Sequence, residues 1–207
     1  MKKNSWIIST ALSLLVLMLV GFVVMKNTYR HEKKPERHAD TPSWTDAVEA
    51  IRDNYRKAYE INNKTFSYAI TDLQGNAINL SQKLTAQPKL VLRYSELSCN
   101  ICVDTAIAYF SAFAEKAGKD NVILLVEFAS EAYLAQFMRF NNINLPHIYR
   151  IITDADARDE SPHLFVLDKS QVIKDAFYPM REVPALSEMY YEVIYKKYFD
   201  QSGKQLQ

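Results

Sequence analysis

The chain contains two cysteines, Cys99 and Cys102, and they lie three positions apart in the segment SELSCNICVDTAIAYF at 95–110. Two cysteines placed at random in a chain of 207 residues would have this spacing in about one chain in a hundred. Side chains at positions i and i+3 of a helix lie roughly 5–6 Å apart, within reach of a disulfide. The spacing therefore predicts a dithiol that can be oxidised to a disulfide without a large movement of the backbone.

The two cysteines are predicted to lie at the start of a helix, which gives them different chemical roles. Unpaired N–H groups and the helix dipole stabilise a thiolate there, and they lower a thiol's pKa from ~8.5 by about one unit or more. Cys99 comes first, at the strand-to-helix turn, and is predicted to be the nucleophile. Cys102 lies one turn further along and is predicted to be the resolving thiol that breaks a mixed disulfide.

Other chemistry at the same two residues stays open. Two inert buried thiols are one alternative, because free cysteine is among the most buried residue types. A zinc site would need two further ligands, and the four histidines offer no paired spacing in the domain. A copper site built from Cys99, Cys102 and His163 is a further alternative, because soft thiolates suit Cu(I). We predict a dithiol without a resident metal and without a cofactor.

Three ionisable residues near the dithiol are candidates for supporting roles. Glu96 precedes Cys99 by three positions and could relay a proton to or from Cys102, although an exposed loop glutamate is the alternative. Arg93 lies within an apolar stretch and could hold a thiolate or a substrate carboxylate, or pair with an acid at the edge of a sheet. His163 could contact substrate, or be structural.

The surrounding pattern alternates between strands and helices. KLVLRYS at 89–95 predicts a buried strand, and a helix from about Asn100 to Lys116 then carries the dithiol. The apolar run at 121–129 is typical of a central parallel strand. Further predicted elements are a hairpin around Gln74-Gly75, a helix of about Ser130 to Asn141, a short strand HIYRIIT, two strands around a turn at Asp168 to Gln171, and a final helix of Val183 to Phe199. This order predicts an α/β sandwich with central parallel strands.

Three segments, KLVLRYSELSCNICVDTAIAYF, NVILLVEFA and ESPHLFVLDKSQVIKDAFYP, resemble the thioredoxin-like superfamily. Their layout is most similar to the membrane-anchored redoxins of the TlpA type found in bacterial envelopes. The resemblance covers about residues 65–200 and implies an α/β thioredoxin-like fold, a central mixed sheet flanked by helices. It also implies that Cys99 and Cys102 follow the first core strand.

The resemblance further implies a substrate-binding loop. A cis-proline loop, here Ser161-Pro162, would hold a substrate peptide beside the nucleophile. The chain departs from the family next to the dithiol, because Ser98 stands where Trp is usual and Asn100-Ile101 where Pro is frequent. That departure leaves the reduction potential open.

Residues 6–25 form an apolar run of 20 without a charge, the length of a bilayer-spanning helix of ~20 residues. A cleaved signal peptide would have a shorter apolar region and a small-x-small site, which VVMKNTYR does not offer. We predict a transmembrane signal anchor at 6–25, preceded by a cytoplasmic tail at 1–5. The positive-inside count opposes an exported domain, but long domains translocate largely regardless of charge. The expected location is the bacterial inner membrane, single-pass, with the domain in the periplasm or otherwise outside the cytoplasm.

The rest of the chain divides into four predicted parts. Residues 26–42 are charged, contain two prolines, and read as a linker. Residues 43–62 predict an amphipathic helix that packs on the domain or on a partner through Trp44, Val48, Ile51, Tyr55 and Ala58. The thioredoxin-like domain follows at 63–200, and 201–207 form a flexible tail.

The net charge of +1 offers no basic field, so nucleic acid is not an expected partner. The leading hypothesis is a membrane-tethered thiol-disulfide oxidoreductase that exchanges disulfides with envelope proteins. Its expected partners are protein thiols or disulfides and, through the N-terminal helix, the membrane. The alternative hypothesis is a non-enzymatic thioredoxin-fold binding or copper-delivery module.

Overall fold

The computed structural model describes residues 43–84, 87–97, 100–152 and 161–200. For residues 100–105 it describes the backbone only. The predicted tail at 1–5, membrane span at 6–25, linker at 26–42 and C-terminal tail at 201–207 lie outside these residues. Within the described ranges, no helix is both long enough and apolar enough to cross a bilayer.

In the described part of the chain, seven strands form one mixed sheet in the order β2-β1-β5-β4-β3-β6-β7. Strands β3, β4 and β5 run parallel to one another, whereas β1 pairs antiparallel with β5 and with β2, and β6 pairs antiparallel with β3 and with β7. The prediction of an α/β sandwich with central parallel strands is confirmed. The strands are β1 Ala69–Thr71, β2 Ala77–Ile78, β3 Lys89–Ser95, β4 Val122–Glu127, β5 Ile148–Ile152, β6 His163–Leu167 and β7 Lys174–Phe177.

Within the residues that the structure describes, four α-helices accompany the sheet, and their bounds agree closely with the predicted ones. They are α1 Trp44–Ile61, α2 Asn100–Ala117, α3 Glu131–Phe140 and α4 Pro184–Ile194, the last continuing as a π-helical turn, Tyr195–Phe199. A reciprocal cap begins α1, because the Asp46 N–H donates to Ser43 Oγ and the Ser43 N–H donates to the Asp46 carboxylate. Pro184 starts α4, where its missing N–H has no cost.

The core lies on both faces of the central strands. All residues of β3 and β4 are buried, as expected for strands covered on both sides. On one face Leu92 and Tyr94 belong to the cluster that contains Ile107 and Phe110 of α2. On the other face Val91 clusters with Leu80 and Tyr149, and Ile61 at the end of α1 packs against this cluster. This packing fixes the end of β3 and the body of α2, so it positions the segment between them that carries the dithiol.

Both predicted turns are present. Strands β1 and β2 form the expected hairpin, and Gly75 takes a φ of 86° that favours glycine. The second turn joins β6 to β7, and its backbone closes with the Gln171 N–H donating to the Asp168 carbonyl at 2.9 Å. The Asp168 carboxylate accepts hydrogen bonds from Lys174 and Ser170, which lower its pKa to about 2.

We expect the Asp168→Asn variant to lose stability in a pH-dependent way. Because the carboxyl pKa is lower in the folded chain than its ordinary value of 3.8, the stabilisation is present above about pH 4 and is lost as the pH falls toward 2. The side chain is partly exposed, so solvent screening limits the effect to about 1 kcal/mol. Urea unfolding at pH 7 and near pH 2 measures it, with Asp120→Asn, whose side chain is 87% exposed, as control. An equal loss at both pH values would contradict the assignment.

Helix α1 presents its predicted apolar face in an unexpected direction. Its buried residues are Asn54 and Ala58, and the Asn54 side chain donates to the Tyr178 carbonyl. Trp44 and Tyr55 are exposed. The predicted packing on the domain therefore holds for Ala58, whose small side chain allows a close approach to the sheet edge at β7. It does not hold for the exposed residues of the predicted apolar face.

Candidate functional site

The dithiol segment connects a central strand to a long helix. Strand β3 lies between β4 and β6 and ends at Ser95, and α2 begins at Asn100. Cys99 lies outside the described residues, and Cys102 is described only as backbone in the first turn of α2. The predicted helix beginning next to the dithiol is therefore confirmed for the backbone, while the roles of the two sulfur atoms stay predictions.

Glu96 joins the loop after β3 to the loop after β4. Its N–H donates to the Glu127 carbonyl at 3.0 Å, and its carboxylate Oε1 accepts from the Ala129 N–H at 2.9 Å. The carboxylate thus holds two loops together at the carboxyl ends of parallel strands, where sites in α/β proteins form. A proton relay to Cys102 stays a prediction.

Ser161 and Pro162 line the same cleft as Leu97, which lies two positions before Cys99. The cleft has a volume of about 450 Å³, and Leu97 and the α1 residues Asn54 and Lys57 also line it. The sequence predicted the proline loop here but gave no sign that α1 forms a wall. The structure therefore brings the expected substrate loop and the start of the dithiol segment together.

The family resemblance implies a cis Ser161-Pro162 bond, and the structure corrects this expectation. No peptide bond within the described ranges is cis, so this bond is trans. The physical reason is the ordinary preference of X–Pro bonds, which favours trans by about 0.5–1 kcal/mol. The two residues line the cleft in this isomer.

His163 has a structural contact next to this loop. It begins β6, is buried, and its Nδ1 lies 3.1 Å from the Ser161 carbonyl oxygen. Its ring packs against the Tyr178 ring with centroids 4.8 Å apart and a tilt of 31° between the ring planes. Among the described side chains, no group of three or more metal-ligating residues comes together. The copper alternative involves Cys99 and Cys102 and so lies outside the described residues.

Arg93 forms a buried ion pair. Its side chain is fully buried, and Nη2 lies 2.8 Å from Glu127 Oε2. The guanidinium also lies over the Tyr68 ring, 5.6 Å from its centroid. The predicted pairing with an acid is confirmed, but its placement at a sheet edge is wrong, because β3 is central. In the sequence, Glu127 could have been identified as the partner of Arg93 because it is the one acid in the apolar run NVILLVE.

A scan against protein-family models finds no match, and a search of curated proteins finds no similar sequence. Among solved structures, a thiol:disulfide interchange protein from Bacteroides sp. aligns with a TM-score of 0.48 and 13% identity, covering 70% of this chain and 95% of that chain. A thiol-disulfide isomerase from Corynebacterium glutamicum gives 0.48 and 10%, covering 68% and 99%. Peroxidoxin BcpB from Mycobacterium tuberculosis gives 0.46 and 13%, covering 65% and 96%.

All three TM-scores lie below 0.5, and the fold is defined by the strand order and the helices described above. The mixed sheet fits a thioredoxin-like α/β fold. In this α/β domain, the dithiol segment follows the central strand β3, as the resemblance implies.

Leu97 lines two cavities of the α/β domain. One is the cleft that contains Ser161 and Pro162. The other has a volume of about 390 Å³ and is lined by Ser95, Glu96, Glu127 and neighbouring residues at the ends of β3, β4 and β5. The cleft that contains Ser161 and Pro162 can take a peptide beside the dithiol segment. The second cavity contains the two carboxylates of Glu96 and Glu127.

Proposed function

We propose that this chain is a membrane-tethered thiol-disulfide oxidoreductase that exchanges disulfides with envelope proteins through Cys99 and Cys102. The observation that carries the proposal is the beginning of α2 at Asn100, directly after Cys99 and five residues beyond Ser95, where a buried central strand ends. This arrangement supplies the helix N-terminus that stabilises a thiolate. The cleft lined by Leu97 and Pro162 supports binding of a peptide at the same edge.

The exchange proceeds in two balanced steps. The Cys99 thiolate attacks one sulfur of a substrate disulfide, so the substrate S–S bond breaks, a mixed disulfide forms, and the departing substrate thiolate takes a proton. The Cys102 thiolate then attacks the Cys99 sulfur, forms the internal disulfide and releases the second substrate thiol. Two electrons pass from the dithiol to the substrate, and the reverse sequence oxidises a substrate dithiol.

Glu96 fits the proton transfers that these steps require. Each departing thiolate needs a proton, and each attacking thiol loses one. Glu96 lies three residues before Cys99, and its second carboxylate oxygen is a candidate acceptor while Oε1 binds the Ala129 N–H. We assign it the relay to and from Cys102.

The location follows from the N-terminal sequence. The uncharged apolar run at 6–25 is long enough to span a bilayer, and it is preceded by Lys2 and Lys3. A TlpA-type redoxin with this layout is held in the bacterial inner membrane with its domain on the envelope side. Protein thiols and disulfides of the envelope are then its substrates.

A redox titration paired with a copper titration tests the proposal. The full chain in detergent is equilibrated with reduced and oxidised glutathione, and the fraction of disulfide is measured by mass after alkylation. We expect one two-electron transition, in which a tenfold change in the equilibrium constant corresponds to about 30 mV. Binding of Cu(I) at one equivalent without a reversible disulfide would instead favour the copper-delivery module. The Cys99→Ser/Cys102→Ser variant is the control for both titrations.

A further inference from the structure

Helix α1 exposes a continuous apolar stripe. The stripe consists of Trp44, Val48, Ile51, Tyr55 and Tyr59, whose spacings of four, three, four and four residues place them on one side of the helix. Trp44, Tyr55 and Tyr59 are 82%, 74% and 75% exposed, and Val48 and Ile51 are also exposed. An exposed apolar surface of this kind marks an interaction site.

The stripe borders the domain-facing residues of α1 and is distinct from its charged face. The face toward the domain carries Asn54 and Ala58, which are buried. The third face carries the charged residues, in which Arg52 pairs with Glu49 and Arg56 pairs with Asp53. Because these charges compensate one another, the occupant of the stripe is selected by apolar and aromatic contacts.

The apolar surface continues from α1 onto α4. A groove of about 430 Å³ lies between the two helices, and it is lined by Ile51, Tyr55, Leu186, Tyr190 and Val193 among others. Met189 and Val193 of α4 are exposed beside it. The surface is therefore wider than a single helix face.

We propose that the stripe rests on the interface of a phospholipid bilayer, so that the domain lies against the membrane that anchors it. This inference depends on the membrane tether of the proposed function. Tryptophan and tyrosine favour the boundary between headgroups and acyl chains, because their rings are apolar at one end and polar at the other. An amphipathic helix with such residues on its apolar side lies in the plane of that boundary.

The length of the linker supports the membrane over other occupants. The 17 residues 26–42 separate the apolar run from Ser43, and a segment of that length reaches at most about 60 Å. Trp44, the first residue of the stripe, therefore stays within this reach of the bilayer surface. A surface held near a bilayer meets it at a high effective concentration.

Docking at this surface also gives the cleft a fixed orientation. Asn54 and Lys57 of α1 line the cleft that contains Pro162. The helix that rests on the bilayer is therefore the same helix that forms a wall of the proposed substrate site. Substrates would approach from the side of the domain that faces away from the lipid.

Fluorescence of Trp44 in vesicles tests the inference. The chain has two tryptophans, so the full-length Trp6→Phe variant leaves Trp44 as the only one. The protein is reconstituted into phosphatidylcholine vesicles with or without lipids brominated near the carbonyl end of the acyl chain. We expect the brominated lipids to lower Trp44 emission by roughly half, because the apolar side of an interfacial helix lies ~5–10 Å into this boundary. Added salt should leave the quenching unchanged, because the contacts are apolar.

A matched variant provides the control. Tyr133 of α3 is also exposed, so Trp6→Phe/Trp44→Phe/Tyr133→Trp places the single tryptophan on a helix that links β4 to β5. We expect its emission to be insensitive to brominated lipid and accessible to acrylamide. Vesicle flotation of every variant checks the tether itself, and a chain that fails to float would overturn both the tether and this inference.

Two further outcomes would overturn the inference and leave the tether intact. In the first, a floating chain shows Trp44 as unquenched by lipid and as open to acrylamide as the control, so the stripe faces water. In the second, Trp44 is shielded from acrylamide without quenching by lipid. Dependence on protein concentration would then identify a second copy as the occupant, and independence would identify another segment of the same chain.

Discussion

Replacing Glu127 with Gln is expected to destabilise the domain by about 3–5 kcal/mol, because the change removes the negative charge that lies against the buried Arg93 guanidinium. Arg93 is fully buried between two strands, and its Nη2 lies 2.8 Å from the Glu127 carboxylate. An amide preserves the shape of the side chain and one acceptor oxygen but removes the negative charge. Urea unfolding of the variant and the parent measures the difference.

Two controls separate burial of the charge from the ion pair as such. Glu49→Gln breaks the exposed pair with Arg52, whose side chains are 69% and 77% exposed, and should cost no more than about 1 kcal/mol. The double variant Arg93→Met/Glu127→Leu removes both charges and should regain most of the lost stability, because apolar replacements of buried ion pairs are often neutral or stabilising. A loss below about 1 kcal/mol in Glu127→Gln would contradict a charge buried without access to water.

The two cysteine variants are expected to fail at different steps. Cys99→Ser removes the attacking sulfur, so turnover on a protein disulfide should fall by at least ~10³-fold, to the uncatalysed rate. Cys102→Ser keeps the first attack and removes the second, so it should form one equivalent of mixed disulfide and then stop. Release of a substrate thiol, followed in the first turnover and over many turnovers, measures both. Equal behaviour of the two variants would contradict the assignment of roles.

The elements that position the site could be predicted because their signals are local. The run KLVLRYS is apolar except for Lys89, Arg93 and Ser95 and becomes the buried strand β3, and the apolar periodicity after it becomes α2. Gly75 and the Asp168 turn mark their hairpins through backbone conformation and side-chain capping. The position of the Cys-x-x-Cys segment at the start of a helix could also be predicted, because the spacing and the helix are both properties of one short segment.

The features that were missed depend on contacts between distant residues. Arg93 and Glu127 are 34 positions apart, and only the parallel pairing of β3 with β4 brings them together. The direction of α1 depends on Asn54 binding the Tyr178 carbonyl, 124 residues away, so the periodic apolar face gave no indication of which side would be buried. The Ser161-Pro162 bond has the trans isomer that X–Pro bonds ordinarily favour, and the sequence alone does not show which isomer a given bond takes.

The most direct test of the central claim is to identify the sulfur that carries the partner in a trapped complex. The Cys102→Ser chain is incubated with a disulfide-containing envelope protein, free thiols are alkylated, and the mixed disulfide is digested and mapped by mass spectrometry. We predict a partner cysteine joined to Cys99, and no corresponding complex for Cys99→Ser. A partner joined to Cys102 in Cys99→Ser at equal abundance, or no complex with either variant, would contradict attack by Cys99 at the start of α2.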